Sequence, residues 1–325
     1  MPVNETVPLT VIQSVNRALD YIEVNLAGQL SLSLIAGAAC VSPFHFQRMF
    51  RAVMGETPHA FVLRRRLENA LGDISQGNRQ PLTDIALGRG FSSLSDFSRN
   101  FRRHFGCSPR KLDLETCLAG RRHALDETLA GVSGLGGSAA DQAQEFSVTL
   151  RDLPERTVQY LRVHRPFEEG SVQAAAMRLV AWARDAGVEH HQWLGYLWDQ
   201  PRLASAADCR YDVAVEVTHG RHCGEIGVFR FPPMKVAEVV IRGGLALEMR
   251  AFGWLRDTWL PASGYLPTDL PAFEAWLGLP YAHGSEHFEL ACQIPIRVPT
   301  APGGWDQRQR TGTPSSSESD SEVNS

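Results

Sequence analysis

An internal repeat in the first 110 residues limits the folds that this part of the chain can adopt. The segment LSLIA at residues 32–36 is matched 50 residues later by LTDIA at residues 82–86. FQRMF at residues 46–50 is matched 51 residues later by FSRNF at residues 97–101, and a glycine and a proline follow each copy. One residue inserted between the matched segments explains the change of offset. The sequence therefore predicts two copies of one helical unit.

Each copy has the pattern of a helix-turn-helix. In the first copy, Ile35 and Ala36 fall on the apolar face of a short helix, and a turn follows at residues 40–41. Ser42 is a favourable N-cap and Pro43 a favourable first helical residue, so a second helix is expected to begin there.

The second helix of each copy presents two different faces. One face is apolar and is expected to be buried, whereas the other carries residues suited to DNA. Arginine can pair with guanine and glutamine with adenine in the major groove, and a phenylalanine ring can touch a thymine methyl group. A solvated basic face would explain one such helix, but two helices about one DNA turn (~34 Å) apart fit successive major grooves. The outer faces carry Phe44, Gln47, Arg48 and Arg51 in the first copy and Ser95, Ser98, Arg99 and Arg102 in the second.

Charge is divided unevenly along the chain. Residues 10–112 contain 13 basic and 7 acidic residues, although the whole chain has a formal net charge of −4. This asymmetry favours a polyanion, here double-stranded DNA, as the partner of the first domain. The chain has no apolar run near the ~20 residues of a membrane span, no secretory signal at its start and no CxxC among its six cysteines. We therefore expect a cytoplasmic protein that contacts no membrane.

Three motifs of the N-terminal region have a specific order and spacing. They are residues 32–58, RLENA at residues 66–70, and the GF, DFSRNFRRHFG and P elements of residues 90–109. From about residue 18 to residue 112 the chain resembles the AraC/XylS family of transcription regulators. The resemblance implies a long connecting helix over residues 66–77. It implies base contacts by Phe44, Gln47, Arg48, Ser95, Asp96 and Arg99.

Asp96 departs from what a base-reading helix usually offers. A carboxylate repels phosphate and can only accept a hydrogen bond from the amino group of cytosine. The second unit is therefore expected to contribute to positioning on the duplex more than to sequence reading.

A second, fainter repeat lies in the C-terminal half. Residues 153–163 resemble residues 231–241, an offset of 78, and each copy predicts a strand, a turn, a strand and a helix. The helices are expected at about residues 167–186 and 245–259. Further strands are expected at residues 193–197, 210–217 and 287–298. The pattern predicts an α+β domain in which two helices pack on an antiparallel sheet.

Short motifs of this half also occur in a characteristic order. They are LP at 153–154, WDQP at 198–201, RYDV at 210–213, WLPASGY at 259–265 and QIPI at 293–296. Over residues 145–298 the chain resembles the GyrI-like effector-binding domain. That resemblance implies a cleft for small molecules, often aromatic cations, in which a glutamate often supplies the counter-charge.

Aromatic walls with one carboxylate would bind a hydrophobic cation through cation–π and charge contacts. For the carboxylate we expect Glu289 on the last predicted strand, with Glu216 and Glu238 as alternatives. A glutamate on a strand usually faces water and a tryptophan on a helix usually fills the core, so a purely structural role stays open for each residue. The expected aromatic lining is Trp198, Tyr196, Trp254 and Tyr160.

The sequence thus predicts an all-α double helix-turn-helix followed by a pseudo-duplicated α+β domain. The predicted segments are a disordered N-terminus at 1–9, a DNA-binding domain at 10–114, a flexible linker at 115–144, a small-molecule-binding domain at 145–298 and a disordered tail at 299–325.

We expect a sequence-specific transcription regulator that senses a small hydrophobic molecule, with a cation as one version of that ligand. RNA polymerase is an expected partner, and no catalytic residue, metal or cofactor is expected. Two alternatives remain: the C-terminal domain hydrolyses small esters, or it binds another protein instead of a ligand. The ligand is expected to alter how the C-terminal domain packs on the DNA-binding unit or meets polymerase. The Gly/Ser-rich stretch at residues 131–138 argues against rigid mechanical coupling.

Overall fold

A computed structural model describes residues 8–75, 80–113, 117, 119–120, 123–124, 127–128, 144–200, 203–204 and 206–299. Residues 1–7, most of the predicted linker and residues 300–325, to which the disorder predictions apply, lie outside this description. Within the described part of the chain, no helix is both long and apolar enough to cross a membrane.

The described residues of the N-terminal domain form six α-helices. The pairs α2–α3 and α5–α6 are the two predicted helix-turn-helix units, and α4 connects them, which confirms the all-α prediction. The helices are α1 (Leu9–Val24), α2 (Leu32–Ala38), α3 (Pro43–Met54), α4 (Pro58–Ser75), α5 (Leu82–Gly88) and α6 (Leu94–Phe105), followed by a 3-10 turn at Pro109–Lys111.

Local sequence explains where these helices begin. Ser31 accepts a hydrogen bond from the backbone N–H of Leu34 at 3.2 Å, and Ser93 accepts one from Asp96 at 3.1 Å. These serines satisfy N–H groups that have no partner inside the first turn of a helix. Pro43 occupies the first turn of α3, as its fixed φ allows.

The two units have separate hydrophobic cores. Phe46 and Phe50 of α3 are fully buried against α1 and α2 in the first unit, and Phe97 and Phe101 of α6 are fully buried in the second. Leu203 from the C-terminal half packs into the second core. The N-terminal domain is therefore in apolar contact with the domain that follows it.

The C-terminal domain is built on one antiparallel sheet. Its strand order is β1-β6-β9-β8-β3-β4-β2-β5, and β7 pairs with β9 beside this path. Two consecutive strands followed by a helix occur twice along the chain, first with β1 and β2 and then with β5 and β6, which confirms the predicted duplication. In the sheet β1 pairs with β6 and β2 pairs with β5. The strands are β1 (Thr149–Leu153), β2 (Arg156–His164), β3 (Trp193–Leu197), β4 (Arg210–Val217), β5 (Gly227–Phe231), β6 (Met234–Gly243), β7 (Leu266–Pro267), β8 (Ala272–Trp276) and β9 (Phe288–Arg297).

Two helices pack on one face of the sheet. They are α7 (Ser171–Asp185) and α8 (Leu245–Trp254), and α8 continues through a π-helical turn, Leu255–Trp259, into α9 (Leu260–Ser263). The other face carries an aromatic cluster and contacts α1 through β5. The first helix begins later than expected because Arg165 and Gly170 adopt φ angles of 61° and 71°, outside the helical region.

Candidate functional site

The outer face of α3 is exposed as the sequence predicts. Phe44 is 75 % exposed, and Gln47, Arg48 and Arg51 are exposed beside it. Phe46 on the opposite face is completely buried. The helix therefore packs one side against its own domain and leaves the other side exposed to solvent.

The outer face of α6 carries Ser95, Arg99 and Arg102, all exposed, whereas Ser98 is half-buried. Asp96 receives a hydrogen bond from the guanidinium of Arg99 at 2.9 Å, and another from the amide of Asn100 at 2.9 Å. A carboxylate in the first turn of a helix is also favoured by the helix dipole. The structure thus gives Asp96 a role in holding Arg99 and in beginning the helix.

Arg66 of α4 ties both helix-turn-helix units to the connecting helix. Its guanidinium donates to the backbone oxygens of Leu26 at 2.8 Å and Gly28 at 2.6 Å, on the first unit. It also donates to the oxygen of Gly90 at 2.8 Å, in the turn of the second unit. One side chain therefore fixes how the two helix-turn-helix units are positioned relative to α4.

Replacement of Gly90 by alanine is expected to destabilise the N-terminal domain by about 1–3 kcal/mol. The φ angle of Gly90 is +76°, and an added Cβ would lie 2.8 Å from the Arg66 guanidinium carbon and 2.9 Å from the oxygen of Ala27. Gly88→Ala is the matched control, because a Cβ at Gly88 meets nothing within 4 Å. Thermal unfolding of both variants measures the difference, and equal transition temperatures would contradict it.

A buried ion-pair network joins α1 and α4 to the C-terminal domain. Arg65 contacts Glu23 at 3.1 Å and Asp199 at 3.1 Å. Arg210 on β4 contacts Glu23 at 2.6 Å and Asp199 at 2.8 Å. Burial alone would raise the pKa of Asp199, but Arg210 and Arg65 hold that pKa well below its usual range. Charged side chains of each domain thus form ion pairs with charged side chains of the other domain.

A second contact between the domains centres on Asp20 of α1. The carboxylate of Asp20 accepts hydrogen bonds from Tyr160 at 2.6 Å and from Arg162 at 2.9 Å, both on β2. Burial raises the pKa of Asp20 to about 6, although Arg162 and Tyr160 oppose the shift. Arg162 also pairs with Asp212 at 2.7 Å, and Asp212 in turn accepts from the indole of Trp198.

A cavity of about 590 Å³ lies where these elements meet. The C-terminal domain lines it with the segment before α7, the inner face of α8, and β8, while α4 and the turn after α5 complete the wall. Nine acidic and four basic residues face the cavity, so its wall has an excess of negative charge. Its aromatic lining is Phe167, Trp198, Tyr211, Phe252, Trp276, Tyr281 and Phe288.

Two buried carboxyl groups lie together in the cavity. Glu274 on β8 is 3 % exposed and Glu248 on α8 is 6 % exposed. Burial raises the pKa of both groups, and the hydrogen bond between them raises the pKa of Glu248 and lowers that of Glu274. The hydroxyl of Tyr211 donates to Glu274 at 2.6 Å and the indole of Trp276 donates at 3.1 Å. Two carboxyls in contact do not ionise together readily, so this pair holds a proton more tightly than a free carboxyl does.

Comparison with known protein families gives one match in the N-terminal domain and another in the C-terminal domain. A family described as a helix-turn-helix domain matches residues 35–113, and one described as a GyrI-like small molecule binding domain matches residues 146–297. AarP of Providencia stuartii, described as an HTH-type transcriptional activator, is 33 % identical over 111 residues, which span 34 % of this chain and 82 % of AarP. The chain belongs to the AraC/XylS family of transcriptional regulators.

Other proteins similar to this AraC/XylS-family chain also match about a third of its length or less. The probable transcriptional regulator LumQ of Photobacterium leiognathi is 39 % identical over 92 residues, which span 28 % of this chain and only 37 % of LumQ. A solved AraC-type transcriptional regulator from Chromobacterium violaceum is 32 % identical, with a TM-score of 0.29 over 30 % of this chain and 87 % of that one. The family matches and the likeness to AarP place this chain in a family of transcriptional regulators, with an AraC-type helix-turn-helix domain followed by a GyrI-like domain.

Of the effector-site residues expected from the sequence of this AraC/XylS-family chain, only Trp198 lines the cavity. Tyr160 donates to Asp20 at the domain interface, and Tyr196 stacks on Phe231 with ring centroids 4.2 Å apart. Trp254 packs against Phe146.

The three glutamates expected from the sequence also lie outside the cavity wall. Glu289 is paired with Arg242 at 3.6 Å, and its side chain is 34 % exposed. Glu238 is paired with Arg151 at 3.3 Å. Glu216 on β4 is half-buried, and it does not line the cavity either. None of these three carboxylates therefore lies in the cavity wall with Trp198.

Sequence reasoning missed Glu248 and Glu274. Glu248 lies three residues after Leu245 and four before Phe252, which places its carboxylate on the apolar face of α8. That position was the available signal, because an acidic residue on the buried side of a helix needs a partner. Glu274 lies on a five-residue strand that the pattern did not reveal.

Proposed function

We propose that this regulator binds specific DNA sequences through α3 and α6 and senses a hydrophobic aromatic cation in the cavity. Arg48 and Arg99 are the residues for guanine contacts, supported by the exposure of both side chains. RNA polymerase is the partner on which such a regulator would act.

The observation that carries the effector proposal is the Glu248–Glu274 pair. A carboxylate buried without a permanent counter-ion is costly, and a bound cation would remove that cost. Trp276 and Tyr281 lie with ring centroids 5.4 Å apart and both line the cavity, so aromatic faces flank the charge. A volume of about 590 Å³ falls within the usual range for small-molecule sites. Glu274 thus replaces Glu289 as our candidate for the counter-charge.

Glu274→Gln is expected to weaken binding of tetraphenylphosphonium by roughly 30-fold or more, equivalent to about 2 kcal/mol. The amide keeps the size of the side chain but removes the negative charge. In the wild type, affinity is expected to increase as the pH rises, because the cation competes with protons for carboxyls whose pKa values are raised. Titration calorimetry across the neutral pH range measures both effects.

Two controls separate charge recognition from apolar contact. Glu289→Gln should leave the affinity unchanged, because Glu289 lies outside the cavity wall. Neutral triphenylphosphine oxide should bind Glu274→Gln and the wild type alike. Loss of cation binding in Glu289→Gln but not in Glu274→Gln would overturn the assignment.

A further inference from the structure

The DNA-binding domain forms part of the cavity wall. Asn69, Gly72 and Asp73 of α4 line the cavity, together with Arg89 from the turn that follows α5. These residues face Glu274 and Trp276 of the sensor domain across the same space. A molecule that fills the cavity would therefore touch both domains.

Arg89 connects this wall to the second helix-turn-helix unit. Its guanidinium donates to Asp73 at 2.7 and 2.8 Å and to Asp269 of the sensor domain at 2.6 Å. The carbonyl oxygen of the next residue, Gly90, accepts a hydrogen bond from the guanidinium of Arg66, which holds both units on α4. The wall is thus continuous with the contacts that set the position of α6.

We propose that the effector site is shared between the two domains, so that a bound aromatic cation stabilises the docked arrangement of α4 and the second helix-turn-helix on the sensor domain. A ligand that binds one arrangement more tightly shifts the population towards it. This inference rests on the proposed function of the cavity and adds the route by which occupancy reaches DNA binding. The coupling runs through direct contact between folded domains and does not require a stiff linker.

The first test weakens docking through residues that do not themselves line the cavity. Asp20 and Glu23 lie on α1, pair with Arg162 and Arg210 across the interface, and do not line the cavity. In the full chain, Asp20→Asn with Glu23→Gln is expected to weaken tetraphenylphosphonium binding roughly tenfold. The ion pairs Arg162–Asp212 and Arg210–Asp199 are unchanged in this variant, so the sensor domain retains its internal ion pairs. Asp84→Asn, an exposed change of the same charge on α5, is the control and should have no effect.

The second test changes the wall itself. Asn69→Lys should weaken cation binding roughly tenfold and Asn69→Asp should strengthen it, because position 69 adds its charge to the cavity. His59→Lys is the control: His59 is exposed at the other end of α4, about 15 Å along the helix.

The outcomes separate this inference from the proposed function. If the wild type binds the cation and neither the interface variant nor the two Asn69 variants change its affinity, the shared site is overturned and the sensor assignment stands. If the wild type binds no cation at all, the proposed function fails and this inference fails with it. The expected changes in cation affinity, with no change in the control variants, would support both the proposed function and the shared site.

Discussion

Replacing Arg48 and Arg99 together by alanine is expected to lower the affinity for the selected DNA site by about 10²–10⁴-fold. Each arginine is exposed on the outer face of a different recognition helix. A good bidentate contact between arginine and guanine contributes about 1–3 kcal/mol of discrimination, and the two helices act on separate stretches of the duplex. Selection from genomic fragments, followed by binding assays at fixed salt, measures the loss.

The two single variants, Arg48→Ala and Arg99→Ala, should lower the affinity for the selected DNA site to different extents. Arg99 is held by Asp96 at 2.9 Å, whereas Arg48 forms no ion pair with any residue in the described part of the chain. Arg48→Ala should therefore cost more discrimination than Arg99→Ala. Arg178→Ala is the control, because Arg178 lies on α7 and pairs with Glu225. Retention of the selected motif by the double variant would contradict the assignment of the recognition helices.

Asp199→Ala is expected to destabilise the protein by about 3–5 kcal/mol, the range for breaking a buried ion pair from one side. The carboxylate of Asp199 accepts from the backbone N–H of Arg210 at 2.9 Å and from its Nε at 2.8 Å. Both donors are buried and lose this acceptor in the variant. The transition temperature should fall by roughly 10 °C in a thermal scan.

This contribution has a defined pH dependence. The folded protein keeps Asp199 ionised to lower pH than the unfolded chain does, since Arg210 and Arg65 lower its pKa against the effect of burial. The stabilisation is therefore present at neutral pH and is lost as the pH falls below the usual pKa of aspartate. Glu225→Ala, which breaks an exposed pair with Arg178, should cost at most about 1 kcal/mol. Equal destabilisation by the two variants would contradict the importance of the buried network.

The fold was predictable because its signals are local. The repeat of residues 32–50 in residues 82–101 defines the two helix-turn-helix units without any knowledge of tertiary contacts. The buried phenylalanines of α3 and α6 occupy the predicted inner faces. Strands β3 and β4 match their predicted ranges because alternation and β-branched residues mark them clearly.

The cavity was less predictable because its wall is assembled from distant parts of the chain. Arg89, Trp198, Glu248 and Glu274 come from four separate elements, and only their packing brings them together. Glu289 was the natural candidate because its strand was recognised, whereas the short strand that carries Glu274 was not. The ion pairs between the domains could not be predicted from the sequence for the same reason. Arg65 and Asp199 come into contact only after both domains have folded.

The most direct test of the account is whether binding of the cation in the cavity and binding of DNA change each other's affinity. The affinity of the full-length protein for tetraphenylphosphonium is measured with and without a saturating selected duplex, and the affinity for the duplex is measured with and without the cation. The account predicts that each ligand changes the affinity for the other by the same factor, and that this factor approaches one in the Asp20→Asn, Glu23→Gln variant. A cation that binds the cavity with the same affinity whether or not DNA is bound would contradict it.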